Sequence, residues 1–110
     1  MSFHRAPIGF KAPSGVSQKI RDFACGQECT LRLACCNHDP ATTVHAHIRR
    51  FGWAGVAQKP PDFLGVHACS ACHDALDGRD DAGLCGFEDV LRAMGETQIR
   101  LFRAGLLRIN

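Results

Sequence analysis

The run Cys69-Ser70-Ala71-Cys72-His73-Asp74-Ala75-Leu76-Asp77 sets two thiols at the spacing of a zinc knuckle directly before a His-x-x-x-Asp pair. A short turn between such thiols lets both sulfurs reach one tetrahedral ion at about 2.3 Å. His73 and Asp77 share a face if the segment is helical. One imidazole and one carboxylate suit a divalent cation that keeps water and an open position for a phosphate oxygen. A second pair of thiols lies upstream in Cys29-Thr30-Leu31-Arg32-Leu33-Ala34-Cys35-Cys36, where Cys29 and Cys36 are the expected other half of the knuckle and Cys35 competes with Cys36. Between the pairs, Thr43-Val44-His45-Ala46-His47-Ile48-Arg49-Arg50 alternates histidine with apolar residues, which points both rings to one side of a strand. Either ring suits a general base, because an imidazole with a pKa of about 6.5 accepts a proton at neutral pH. Spacing alone does not choose between them.

Each assignment has a plainer competitor. His73 could supplement the knuckle as a zinc ligand or cap its helix. His67 reads as a strand residue beside the site, and His4 and His38 as tail and turn residues. Cys25 and Cys85 read as core packing, since a buried free thiol behaves as a small hydrophobe. A catalytic thiol is disfavoured by the grouping of the thiols at ligand spacing.

The elements that must position these groups follow from turn chemistry and periodicity. Residues 1–17, with Pro7, Gly9, Pro13, Ser14, Gly15 and Ser17, read as a flexible N-terminal arm. Ser17 would cap a short helix over 18–24 that Gly26 ends. Thr30 to Leu33 is a strand candidate, and Asn37-His38-Asp39-Pro40 a turn into a strand over 42–47. The glycines and the Pro60-Pro61 pair make 51–62 a loop, Phe63 to Ala68 a second strand, and Ser70 to about Gly78 a helix. The order strand, strand, helix is that of a ββα unit. Phe87, Val90, Leu91, Met94, Leu101 and Phe102 form a helical stripe over 87–107, with Gly95 able to kink or divide it.

At 110 residues the chain is one domain, small enough for a structural metal to contribute to folding. Seven cysteines, clustered, are read as metal ligands of a reducing compartment rather than a disulfide framework. No apolar run reaches the roughly 20 residues that span a bilayer, and the N-terminus lacks the apolar stretch of a signal peptide. A soluble protein of the host cytoplasm with no membrane partner is expected. The formal charge of +2 does not by itself mark a polyanion binder. Arg49, Arg50 and Lys59 nevertheless follow the histidine strand closely enough to meet phosphates, against the plainer reading of a solvated surface run.

The combination of Glu28-Cys29, Cys36-Asn37, Ala46-His47-Ile48-Arg49, Lys59-Pro60-Pro61-Asp62, Ala68-Cys69-Ser70-Ala71-Cys72-His73-Asp74 and Thr97-Gln98 resembles the small prophage-encoded YbcO-like nuclease family. That family is placed in the HNH, or His-Me finger (ββα-metal), superfamily. The resemblance covers most of the chain after the arm. It implies His47 as the base, His73 as a ligand of the catalytic ion, and Cys29, Cys36, Cys69 and Cys72 as ligands of a structural zinc. Ala46 stands where many HNH enzymes carry a further metal ligand. Asp62 is the nearest polar residue to the position of the motif's central asparagine.

The expectation is therefore an α+β protein: an arm over 1–17, then an HNH-like nuclease domain over 18–110 with a small zinc-braced ββα-metal core and an additional C-terminal helix. It would be a metal-dependent DNA endonuclease of phage or prophage origin, serving recombination or DNA processing. Zn2+ would be structural, and a cation such as Mg2+ or Mn2+, held by His73 and Asp77, catalytic. The rival reading is a non-catalytic zinc module that binds nucleic acid or protein.

Overall fold

The computed structural model describes residues 15–53, 59–78 and 83–109. Three α-helices and a two-stranded sheet make a compact α+β unit, in the order α1 (Gln18–Phe23), β1 (Val44–His47), β2 (Gly65–Ala68), α2 (Ser70–Leu76) and α3 (Phe87–Arg103). Ser17 caps α1 as expected, its Oγ accepting from the Ile20 amide at 3.3 Å. Residues 1–14 of the expected arm lie outside the described residues, and its last residues are tied down. The Asp62 amide donates to the Gly15 carbonyl at 2.7 Å, and the Ser17 amide donates to Asp62 Oδ2 at 2.6 Å.

The two strands pair antiparallel, with His45 opposite His67 and His47 opposite Gly65. β2 is buried along its whole length, while Val44 at the start of β1 is exposed. Leu31, Ile48, Val66, Ala68, Leu76, Val90 and Ala93 form the core between the sheet, α2 and α3. Burying these side chains is the main favourable contribution to folding. On α3, Val90, Ala93, Thr97 and Leu101 face inward, the stripe expected of a helix laid over a sheet. The helix runs unbroken through Gly95, which therefore does not divide it. Asp89 closes its start by accepting from the Gly86 amide at 3.0 Å, and its end falls at Arg103, short of the expected 107.

The expected strand at Thr30–Leu33 does not form. Arg32 has a φ of 45°, in the left-handed region, and its amide turns back to Cys29 Sγ at 3.4 Å. Carbonyls that a strand partner would use are taken by α3: the Arg92 guanidinium donates to Thr30 O and Leu31 O, both at 2.7 Å. Arg100 adds a bond to Glu28 O at 2.7 Å. A buried hydroxyl pair completes the attachment. Thr30 Oγ1 donates to His67 O at 2.9 Å and lies 3.1 Å from Thr97 Oγ1, which also accepts from the His67 amide at 3.1 Å. No helix among the described residues is long and apolar enough to cross a membrane.

Candidate metal centre and histidine-aspartate site

Each half of the thiol cluster is shaped by the same short turn. The Arg32 amide donates to Cys29 Sγ and the Cys72 amide to Cys69 Sγ, both at 3.4 Å. Each bond curls the chain around a sulfur and satisfies part of its negative charge once the thiol ionises. Cys69 is also the N-cap of α2, so the second turn is built into the helix start. Together these turns bring Cys29, Cys36, Cys69 and Cys72 to one place, with their ligand atoms all within 4.8 Å of one another.

The cluster fits a tetrahedral ion. A 2.3 Å metal–sulfur bond requires sulfurs about 3.8 Å apart along a tetrahedral edge, and Cys36 Sγ and Cys69 Sγ are 3.8 Å apart. The electrostatics point the same way. Burial opposes ionisation of Cys69, but amide donors from Asn37 and Cys72 and the neighbouring thiols outweigh it and bring its pKa down to about 7. Burial drives the Cys36 and Cys72 thiols up, with further repulsion from Cys29. One thiolate is accommodated by the protein alone, whereas several in one buried pocket require a dication. The four cysteines could therefore hold a metal ion such as zinc.

The competition between Cys35 and Cys36 is settled by direction: Cys35 Sγ leaves the cluster and donates to Ala71 O at 3.7 Å. Cys85 is buried, with its thiol pushed up by that burial, as core packing requires. Cys25 is exposed, contrary to the core role expected for it, because it lies in the turn after α1 rather than on its inner face.

A second constellation forms across the sheet. His47 Nε2 lies 2.6 Å from Asp62 Oδ1, while Asp62 Oδ2 accepts from the Ser17 amide and faces Arg21 Nε at 3.5 Å. Burial raises the Asp62 pKa, but the Ser17 amide, His47 and Arg21 outweigh it and hold the carboxyl below its ordinary range. His45 Nε2 bonds to the backbone carbonyl of the same Asp62. Both rings thus serve one loop residue, the ring centroids lying 5.6 Å apart. Both are largely buried, His47 with 11% of its side chain exposed and His45 at 8%, and burial lowers the His45 pKa. In the sequence Asp62 stands out only as the nearest polar residue to the position of the motif's central asparagine. The signal available was its place directly after Pro60-Pro61, a stiff segment suited to delivering one side chain.

His67 is fully buried, opposite His45 on the sheet. Its Nδ1 lies 3.1 Å from an Arg100 nitrogen, which can only donate, so Nδ1 accepts. Burial, then the Arg100 and His45 charges, lower its pKa to about 4.

On α2, His73 Nε2 and Asp77 Oδ2 are 3.2 Å apart, on one face as expected. Asp77 also lines a cleft of about 530 Å³ with Arg49, Arg50, Leu76 and Gly78. Arg50 is engaged in holding this cleft together, donating to Cys85 O at 2.9 Å and to Leu76 O at 3.0 Å. Its charge thereby caps the carbonyl end of α2. Arg49 and Lys59 are exposed, Lys59 at the start of the stretch that ends at Asp62. Among the described residues, the four cysteines are the one cluster of three or more metal-ligating side chains, and His73 with Asp77 supplies two donors.

A four-thiol centre of metal-binding geometry, a histidine–carboxylate pair and an arginine-lined cleft, on elements in the order β1, β2, α2, define a small α+β protein of the thiol-clustered kind. The family model described as "Putative nuclease YbcO" matches residues 18–106, and the chain belongs to that family. It is 42% identical over 93 residues to "Putative nuclease YbcO" of Escherichia coli (strain K12), a match covering 81% of this chain and 96% of the relative. The protein of the same description from Enterobacteria phage 82 is equally similar. A solved structure, described as that of a "putative bacteriophage protein" from Escherichia coli K-12 MG1655, superposes with a TM-score of 0.62 at 35% identity. That match covers 79% of this chain and all of the other.

Proposed function

We propose that this chain is a metal-dependent DNA endonuclease of phage or prophage origin, acting in the host cytoplasm, with residues 18–110 forming a zinc-braced ββα-metal domain of the HNH type. The observation that carries the reading is the His47–Asp62 contact at 2.6 Å. The relatives' printed descriptions as nucleases agree with it. With Nε2–H donated to the Asp62 carboxylate, the lone pair of neutral His47 lies on Nδ1, the nitrogen that would take a proton from the attacking water. Asp62 fixes the tautomer and ring orientation and stabilises the imidazolium that forms. His73 and Asp77 would hold the catalytic cation, Mg2+ or Mn2+, whose charge when bound would stabilise the scissile phosphate and leaving oxygen. Arg49 and Lys59 would position phosphates, without reading sequence, while Arg50 contributes charge from a fixed place at the cleft wall. Cys29, Cys36, Cys69 and Cys72 would bind the structural zinc that fixes the start of α2, and so of His73.

The test is incubation of zinc-loaded protein with supercoiled plasmid and with single-stranded DNA, in Mg2+ or Mn2+, beside His47→Ala purified identically. Cleavage that falls by roughly 10²- to 10⁴-fold in the variant supports a general base at His47. Absence of cleavage of either substrate in either metal, with DNA binding retained, would instead identify a zinc-stabilised nucleic-acid-binding module.

A further inference from the structure

α3 carries a second apolar stripe that the described residues leave largely exposed, Phe51 alone reaching its start by an edge-to-face contact with Phe87 at 5.5 Å. Besides the inward Val90, Ala93, Thr97 and Leu101, the helix presents Phe87, Leu91, Ile99 and Phe102 to solvent, with relative exposures of 61%, 54%, 50% and 52%. Successive spacings of four, four, four and three residues through Gly95 place them along one side. Contiguous apolar surface on this scale, rather than a single exposed side chain, is what marks an interaction face.

Gly95 stands at the centre of this stripe. A glycine inside a helix is unfavourable relative to alanine, and among the described residues nothing beyond the adjoining turns of the helix itself lies within 4 Å of where its Cβ would be. Packing among the described residues therefore gives no reason for it. Close approach of another backbone does, since a missing Cβ at a crossing point lets two helices come together.

The pattern is self-complementary. Leu91 and Ile99 lie four residues either side of Gly95, and Phe87 and Phe102 eight before and seven after. Two copies of α3 crossed antiparallel at Gly95 would bring Leu91 of each against Ile99 of the other, and the phenylalanines together at both ends. The charges repeat the relation. Glu88 and Asp89 occupy the first turn, and Arg100 and Arg103 the last, so antiparallel pairing sets exposed Glu88 near exposed Arg103 of the second copy and opposes the helix dipoles favourably. The same residues meeting in both directions is the requirement of a two-fold interface.

We propose that α3 is the interface of a homodimer, two copies of this chain crossing antiparallel at Gly95. This rests on the helix face alone and stands whether or not the chain is a nuclease.

Light scattering coupled to gel filtration, and sedimentation velocity from 1 to 200 μM, test it on the full zinc-loaded chain. The native protein should show twice the 12.0 kDa chain mass. Leu91→Glu should lower that to the single-chain mass, with circular dichroism unchanged because the residue is exposed. Gly95→Leu provides a second check: it favours the helix but obstructs the crossing, so a folded protein with at least a tenfold weaker association is expected. The charge pair gives a third: Glu88→Arg and Arg103→Glu should each weaken association and together restore it. A single-chain mass for the native protein throughout that range, or a dimer indifferent to both Leu91→Glu and Gly95→Leu, would overturn the proposal.

Discussion

His47 on β1 and Asp62, two residues beyond the start of the Pro60-Pro61 pair, meet through a 2.6 Å contact between imidazole Nε2 and carboxylate Oδ1. The carboxylate is held from its other oxygen by the Ser17 amide and Arg21, so it is a fixed acceptor rather than a mobile one. Asp62→Asn should preserve the fold, while loosening the ring and removing the charge that favours the imidazolium. If His47 is the base, cleavage in the plasmid assay should fall by about 10²-fold or more, within the range general-base catalysis contributes, with Arg49-dependent DNA affinity retained. Unchanged cleavage by a folded Asp62→Asn protein would remove Asp62 from the mechanism.

Metal content separates the thiols. Native mass spectrometry should find one zinc per chain, lost in Cys72→Ser and kept in Cys35→Ser, because Cys35 points to Ala71 O and not into the cluster. Chelation should abolish cooperative unfolding. Structural zinc binding in small domains is worth on the order of 10 kcal/mol, comparable with the whole stability of a domain this size.

Gly65→Ala tests the packing of the histidine face. Gly65 pairs with His47 across the sheet, and a Cβ there would overlap the His45 ring. His45 would be driven from the Asp62 carbonyl, at a cost of about 1–3 kcal/mol as for other overpacked sites. Urea titration measures it. The same variant should also reduce cleavage, since the loop carrying Asp62 would lose its second anchor.

Stability should fall in acid in two stages. The His67 pKa of about 4 lies below its value of about 6.5 in an unfolded chain. The unfolded state therefore takes up a proton first, and stability present above pH 6.5 declines as the pH falls toward 4, by about 1–3 kcal/mol. Asp62, also held below its ordinary value, contributes stability that is full above about pH 4 and is lost as the pH falls through its lower folded pKa. Chemical denaturation between pH 7 and 3 measures both, and His67→Gln should flatten the first stage alone.

Local chemistry determined much of this protein before any tertiary contact was considered. The knuckle spacing of Cys69 and Cys72, the one-face placement of His73 and Asp77, the Ser17 cap, the alternation of His45 and His47 and the amphipathic run of α3 all arise within a few residues, from turn geometry and from the periods of strand and helix. The tertiary structure decided what depends on residues distant in the chain. Leu31 and Leu33 alternate with Thr30 and Arg32 as in a strand, but Arg92 of α3, some sixty residues away, binds the Thr30 and Leu31 carbonyls, and the Arg32 amide turns back to the Cys29 sulfur. Cys36 rather than Cys35 joins the thiol cluster because the return from Leu33 aims it at Cys69. His47 rather than His45 meets the Asp62 carboxylate because Gly65, the Asp62 carbonyl and His67 surround the His45 ring from across the sheet. Spacing records which side of an element a residue occupies; what it meets there depends on which distant segment is packed against that side.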